Sequence, residues 1–168
     1  FHGNLTTDVT IGLKYESLVF LAENIAPNVE KLNLSASPYG NPHDDHVQVL
    51  LSRCNKIKAL NLEATQITDD SFIDIKQHLN LTLEELSMRL NLRNDFLTKD
   101  FISFNGFLKL KSMPRLKILN LIYENGDDEK IQNLRQHLSH LIIKVFSQFE
   151  RFLGESNEME LTFLLIEF

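Results

Sequence analysis

One six-residue pattern recurs along the chain, with apolar residues in its first, fourth and sixth positions. It occurs at residues 29–34, 57–62, 83–88 and 116–121, and in a weaker form at residues 142–147. The fourth residue of each copy is taken as its anchor, which gives Leu32, Leu60, Leu86, Leu119 and Val145. Successive anchors are 28, 26, 33 and 26 residues apart, and a possible earlier anchor, Leu5, lies 27 residues before Leu32. Repeats of about 20–29 residues with this frame are typical of leucine-rich solenoids.

Between these frames, apolar residues recur every three or four positions, as they do along one face of a helix. The helical stretches cover residues 15–25, 45–51, 70–79 and 128–138. Thr68, Asp69 or Asp70 can cap the third of them. A single strand and helix cannot bury their apolar faces alone, whereas stacked units build a continuous core. The sequence therefore predicts an α/β leucine-rich repeat solenoid of about five repeats, with a curved parallel sheet and a layer of helices.

The domain organisation follows from where the repeat pattern stops. We assign residues 1–146 to the repeat domain and residues 147–168 to a C-terminal cap or tail. Phe149, Phe152 and Leu153 stand at helical spacing, and a helix there can cover the last core. Residues 161–168 are apolar and prone to form a strand, which favours either an edge strand or a contact between copies of the chain.

Composition narrows the class of partner. The 168 residues carry a formal net charge of −6, which disfavours binding to phosphate backbones, so no nucleic-acid partner is expected. No apolar run approaches the ~20 residues that span a bilayer, and no membrane partner is expected. A single cysteine, Cys54, excludes an intrachain disulfide and favours a reducing compartment. The expected location is cytoplasmic or nuclear.

Few residue groups suggest chemistry. The segment 43–46, His-Asp-Asp-His, has the residue types of a metal site, but its position at the start of a helix favours a capping role instead. His137 and His140 stand at a helix C-terminus, where positive charge is favourable. Cys54 as a nucleophile would need a positioned base, and a small buried residue between helix and strand is the simpler interpretation. We expect no catalytic residues, no metal and no cofactor, and therefore no enzyme.

Residues 50–72 resemble one family of repeats. Cys54, Ile57, Leu60, Leu62 and Thr65, followed by the run Ile-Thr-Asp at residues 67–69, match the cysteine-containing leucine-rich repeat. That subtype is typical of F-box/leucine-rich-repeat proteins and of the antagonist-of-mitotic-exit-network family, within the ribonuclease-inhibitor-like group. The resemblance extends over residues 15–146, although only one repeat keeps the cysteine. It implies target recognition in a cullin–RING ubiquitin ligase, with the Skp adaptor bound through an F-box that we do not find in this chain.

The pattern also places the candidate binding residues. In each frame the leucines point inward, so the residues between them lie on the outer, concave face of the sheet. The residues proposed to bind a protein partner there are Lys31, Asn33, Ser35, Asn61, Glu63, Glu85, Ser87, Arg89, Asn120 and Ile122. A solvated face without a ligand is the alternative. The long fourth unit adds Phe96, Phe101, Phe104 and Phe107, which form either a binding loop or part of the helix layer.

The function expected from the sequence is protein–protein interaction, with target recognition for a ubiquitin ligase as the specific hypothesis. Two alternatives remain open. One is a non-catalytic scaffold or inhibitor, similar to ribonuclease inhibitor or tropomodulin, with no link to ubiquitin. The other is an accessory part of an enzyme or effector whose catalytic domain lies elsewhere.

Overall fold

A computed structural model describes six separate stretches of the chain. These are residues 8–10, 28–34, 42–63, 65–90, 102–123 and 128–147. They contain one sheet of six parallel strands arranged in chain order. The strands are β1 (Asp8–Thr10), β2 (Lys31–Asn33), β3 (Ala59–Leu62), β4 (Glu85–Leu90), β5 (Ile118–Tyr123) and β6 (Ile142–Ser147). The α/β leucine-rich repeat solenoid predicted from the sequence is confirmed.

In the described part of the chain, helices connect the strands from β2 to β6, since parallel strands need a crossover connection. The described helices are α1 (Asp44–Leu51), α2 (Asp69–Leu79), α3 (Phe104–Leu108) and α4 (Asp128–His137), and a 3₁₀ turn follows α3 at Lys109–Ser112. Three of them match predicted helical stretches to within one residue at each end. The predicted helix over residues 15–25 lies outside the described residues. Of the predicted cap or tail at residues 147–168, only Ser147 is described, as the last residue of β6.

The central strands pair in the register that the anchors predict. Leu32 lies opposite Leu60, Leu60 opposite Leu86, and Leu86 opposite Leu119. Each of these leucines is at least 97% buried. The 33-residue interval before Leu119 therefore leaves the stacking of the strands unchanged.

The two outermost anchors differ from the prediction. Val9, not Leu5, lies opposite Leu32, and Ile143, not Val145, lies opposite Leu119. In β6 the difference is two residues, so the predicted inward and outward faces of that strand are unchanged, because side chains alternate along a strand. In β6 the misassignment has a simple cause: Ile142, Ile143 and Val145 are all β-branched, and the apolar pattern fits more than one register.

The core lies between the sheet and the helices. Leucines of the strands meet the apolar faces of α1, α2 and α4, and Phe72 and Phe107 contact each other with ring centroids 5.4 Å apart. Phe107 is almost fully buried and Phe104 is partly buried against the same core. These two residues therefore fill the helix layer, which was the structural alternative to a Phe-rich binding loop. Phe96 and Phe101 lie outside the described residues.

In two places a carboxylate at the start of one helix is hydrogen-bonded to the start of the next helix. Asp44, the first residue of α1, accepts hydrogen bonds from the Thr68 N–H (2.9 Å), the Thr68 hydroxyl (2.8 Å) and the Ser71 N–H (3.2 Å), and also from the Ser71 hydroxyl. Thr68 caps α2 through a bond from the Asp70 N–H. Asp44 thus stabilises the N-terminus of the neighbouring helix, where negative charge is favourable.

The same arrangement repeats one unit later. Asp69, the first residue of α2, accepts hydrogen bonds from the N–H (2.7 Å) and the hydroxyl of Ser103. Ser103 caps α3 by accepting from the Gly106 N–H at 3.1 Å. Gly106 occupies the place that Ser71 holds in the preceding unit, three residues after the cap. A Cβ atom at Gly106 would lie only 2.2 Å from Asp69 Oδ1.

Gly106→Ala is expected to destabilise the protein by about 1–2 kcal/mol, although alanine favours a helix by ~1 kcal/mol over glycine. The methyl group would displace the Asp69 carboxylate and break its bonds to Ser103. Thermal and urea unfolding measure the effect. In an Asp69→Ala background the clash disappears, so the same substitution should become neutral or stabilising there. Stabilisation of the otherwise unmodified chain by Gly106→Ala would contradict this packing.

Candidate functional site

The side chains that point away from the helices form one surface, here called the outer face. The pairing arranges them in three rows across the strands. The first row is Lys31, Ala59, Glu85, Ile118 and Ile142; the second is Asn33, Asn61, Ser87, Asn120 and Lys144; the third is Arg89, Ile122 and Phe146. Glu63 directly follows β3, whose last residue Leu62 lies opposite Met88. Of the ten predicted binding residues, only Ser35 lies outside the described part of the chain.

The second row is polar throughout, and parts of it are fixed by internal hydrogen bonds. Asn120 Nδ2 donates to Ser87 Oγ (3.0 Å) and to Glu85 Oε1 (2.6 Å). Asn61 Oδ1 accepts from the Glu63 N–H at 3.0 Å. These side chains remain partly exposed, so a partner would meet polar groups that are already oriented. Such an arrangement lowers the entropic cost of binding.

Burial differs sharply between neighbouring positions of this face. Glu63 is 7% exposed and Ile122 is 3% exposed, whereas Lys31 and Lys144 are exposed. Alternation along the strands predicts the face correctly but not the depth of each side chain. Glu63 and Ile122 therefore offer a partner much less surface than the sequence pattern suggests.

The outer face becomes apolar toward β6. Ile142 is 60% exposed and Phe146 is 38% exposed. They lie opposite Ile118 and Ile122 of β5. Exposed apolar side chains that adjoin in this way commonly mark contact surfaces.

Charged residues of alternating sign line the N-terminal ends of the strands. Lys58 Nζ binds Glu30 Oε1 at 2.8 Å, and Lys117 Nζ binds Glu84 Oε2 at 2.7 Å. The hydrogen bond and the charge of Lys117 lower the pKa of Glu84. Exposed ion pairs contribute little to stability, but this charged rim sets the polarity of one border of the outer face.

The His-Asp-Asp-His segment starts a helix, as predicted. His46 Nδ1 accepts from the His43 N–H at 3.0 Å, and Asp45 Oδ1 accepts from the His46 N–H at 2.9 Å. Asp44 lies in the first turn of α1, where negative charge is favourable. Its hydrogen bonds go to the start of the next helix, which the sequence did not indicate. Within the described stretches, no group of three or more His, Cys, Asp or Glu residues could hold a metal ion.

Cys54 is a core residue at the junction of α1 and β3, as predicted. It is 2% exposed, and its N–H donates to Leu50 O at 2.9 Å. Burial raises the pKa of the thiol to about 11. At neutral pH the group is therefore a protonated thiol, which is the unreactive form.

His137 makes two packing contacts at the end of the last described helix. His137 ends α4, with its Nδ1 atom 2.9 Å from Asn133 O and its ring 5.4 Å from that of Phe104 in an edge-on arrangement. His140 follows in the turn before β6. His137 therefore lies at the helix C-terminus, as predicted, whereas His140 lies three residues beyond it.

Comparison with known proteins identifies a fold but not a family. No protein family matches the chain, and no curated protein sequence matches it. Among solved structures, actin-binding site 2 of leiomodin-1 superposes with a TM-score of 0.52 over 92% of this chain and 90% of that one, at 17% sequence identity. At this identity the similarity is one of fold.

None of the described helices is long and apolar enough to cross a membrane.

Proposed function

We propose that this chain is a non-catalytic protein-binding domain whose outer face contacts the partner. The observation that carries the proposal is the second row, in which five polar residues from successive strands align across the sheet. Solenoids commonly present such extended sheet surfaces to partners. The shared fold with a domain named for actin binding supports the same class of function.

Actin is the first partner to test, because it is the partner named for the leiomodin-1 domain. The chain carries a net charge of −6. We therefore expect its binding to actin to depend on the local chemistry of the outer face and not on the net charge of the chain. Lys31 and Lys144 are its exposed basic residues. Binding should therefore weaken moderately with salt, as expected for a few rim charges.

The double variant Asn61→Arg, Ser87→Arg is expected to weaken binding to actin by tenfold or more. Both residues lie near the middle of the second row, where bulky charged groups would clash with a docked partner. Titration of purified monomeric and filamentous actin measures the dissociation constant. Glu63 is excluded from the variant because it is nearly buried and its loss would disturb folding.

A matched control adds the same charge on the helix side of the solenoid. Gln77→Arg and Gln132→Arg alter exposed residues of α2 and α4, and binding should change less than twofold. Equal losses in both variants, or none in the outer-face variant, would contradict the proposed surface. Absence of binding by the unmodified chain would remove actin as the partner.

A ubiquitin-ligase role is the narrower hypothesis, and the resemblance of residues 50–72 is its only support. The leiomodin-1 domain favours instead the scaffold-like alternative. The two are separated by affinity capture from cell extract with the unmodified chain and both double variants. Recovery of a Skp adaptor and cullin would support the ligase role, whereas recovery of actin, lost only with the outer-face variant, would support the scaffold.

A further inference from the structure

The last described strand is incompletely covered on the outer face. Ile142 and Phe146 are 60% and 38% exposed, and Lys144 lies between them and is also exposed. These three residues are called the terminal patch. No acidic residue in the described part of the chain pairs with Lys144. The patch therefore offers two apolar side chains and one positive charge that no described acidic residue compensates.

The same strand has an open edge among the described residues. β6 pairs only with β5, at one end of the sheet. The Ile142 N–H donates to Lys117 O at 2.8 Å, which places it on the β5 side. Because N–H groups alternate between the two sides of a strand, those of Ile143 and Val145 point to the open edge. Exposed edges of this kind recruit further extended segments.

The sequence after β6 has the complementary chemistry. Residues 159–168 read Met-Glu-Leu-Thr-Phe-Leu-Leu-Ile-Glu-Phe, which combines apolar side chains with the carboxylates of Glu160 and Glu167. Residues 161–166 also repeat the six-residue frame of the earlier units, with its fourth position 21 residues after Ile143. That interval lies within the range of about 20–29 residues for such repeats.

The segment between β6 and Met159 is long enough to let residues 159–168 return to β6. Eleven residues separate Ser147 from Met159, and at ~3.3 Å per residue they can span about 36 Å. A six-residue strand is about 20 Å long, so the chain can return to the start of β6 and run parallel to it. A segment tethered this closely has an effective concentration in the millimolar range, which favours it over free competitors.

We propose that residues 159–168 of this chain dock on the terminal patch and along the open edge of β6. The apolar side chains then cover Ile142 and Phe146, and the carboxylate of Glu167, which lies on the outer face in this register, compensates Lys144. The terminal unit of the solenoid is thereby capped by the chain itself, which leaves the outer-face side chains of the preceding strands accessible.

Amide hydrogen exchange on the full chain tests this docking. The amides of Ile143 and Val145 should exchange at least tenfold more slowly than in an unstructured peptide. In a Phe163→Ser, Leu164→Ser variant they should lose this protection, while the amides of β3 and β4 keep theirs and confirm that the fold is intact. Unprotected edge amides in the unmodified chain, or protection that survives in the variant, would overturn the proposal.

Charge reversal tests the role of Lys144. Lys144→Glu should reduce the protection of Val145 severalfold, and adding Glu167→Lys should restore it. Lys111→Glu, an exposed residue of the 3₁₀ turn, serves as the control and should have no effect. Protection that rises with protein concentration, accompanied by dimers in sedimentation velocity, would indicate a second copy as the occupant and would overturn the proposal.

Discussion

Leu119→Ala is expected to lower the free energy of unfolding by about 2–5 kcal/mol. Leu119 is fully buried in β5, between Leu86 and Ile143 on the flanking strands. Its removal leaves a cavity that the paired strands on both sides cannot close, since the backbone hydrogen bonds hold them in place. Urea unfolding, with the midpoint and slope fitted separately, measures the loss.

Ile73→Ala is the matched control for this substitution. Ile73 lies in α2 but is 51% exposed, so the change should stay within about 0.5 kcal/mol, helped by the helix propensity of alanine. A loss below ~0.5 kcal/mol for Leu119→Ala itself would show that the assigned strand register is wrong.

Asp44→Ala is expected to destabilise the protein by about 1–3 kcal/mol. The carboxylate accepts from both the backbone and the side chain of Thr68 and Ser71, and its loss leaves these donors without their acceptor at the start of α2. Asp70→Ala removes an exposed carboxylate from the first turn of the same helix. It should cost less than about 1 kcal/mol. Equal effects of the two substitutions would indicate a general effect of charge.

The contribution of Asp44 should depend on pH in a defined direction. Partial burial alone would raise the pKa of Asp44, but the hydrogen bonds from Ser71 and Thr68 outweigh it and lower that pKa. The stabilisation is therefore fully present above the usual aspartate pKa of ~3.9 and is lost as the pH falls through the lower value of the folded state. Unfolding measured from pH 6 to pH 2 should show the stability of Asp44→Asn approaching that of the unmodified chain only at the acid end. A constant difference would contradict this linkage.

The strands could be predicted from the sequence to different extents. Leu32, Leu60, Leu86 and Leu119 stand in clear frames and pair as predicted, because each frame permits one buried register. The first and last units lack such a clear contrast between apolar and polar positions. Val9 lies in a stretch with few leucines, and Ile143 is surrounded by residues of similar shape, so the anchors there were displaced by an even number of positions.

The candidate site shows a different limit. Alternation along the strands assigns Asn61, Ser87 and Asn120 to one face, and the structure places them in one row. The burial of Glu63 and Ile122 depends on neighbours from other units, which the pattern does not encode. The link from Asp44 to Thr68 spans 24 residues, whereas that from Asp69 to Ser103 spans 34. The number of residues between the two linked partners therefore differs from one unit to the next. The sequence shows only the Thr-Asp pair at the start of the helix, which indicates a cap.

The Asp69–Ser103 link has a consequence for how this solenoid can change its length. The pairing of Met88 with Leu121 holds the sheet in register on either side of residues 91–101. The hydrogen bond from Ser103 to Asp69 does the same for the helix layer. Because the entropic cost of joining two fixed ends rises slowly with the number of residues between them, sequence inserted between Leu90 and Ile102 should leave the flanking units in place. The chain thus offers a position at which new loops could be added by evolution or by protein engineering while the scaffold stays intact.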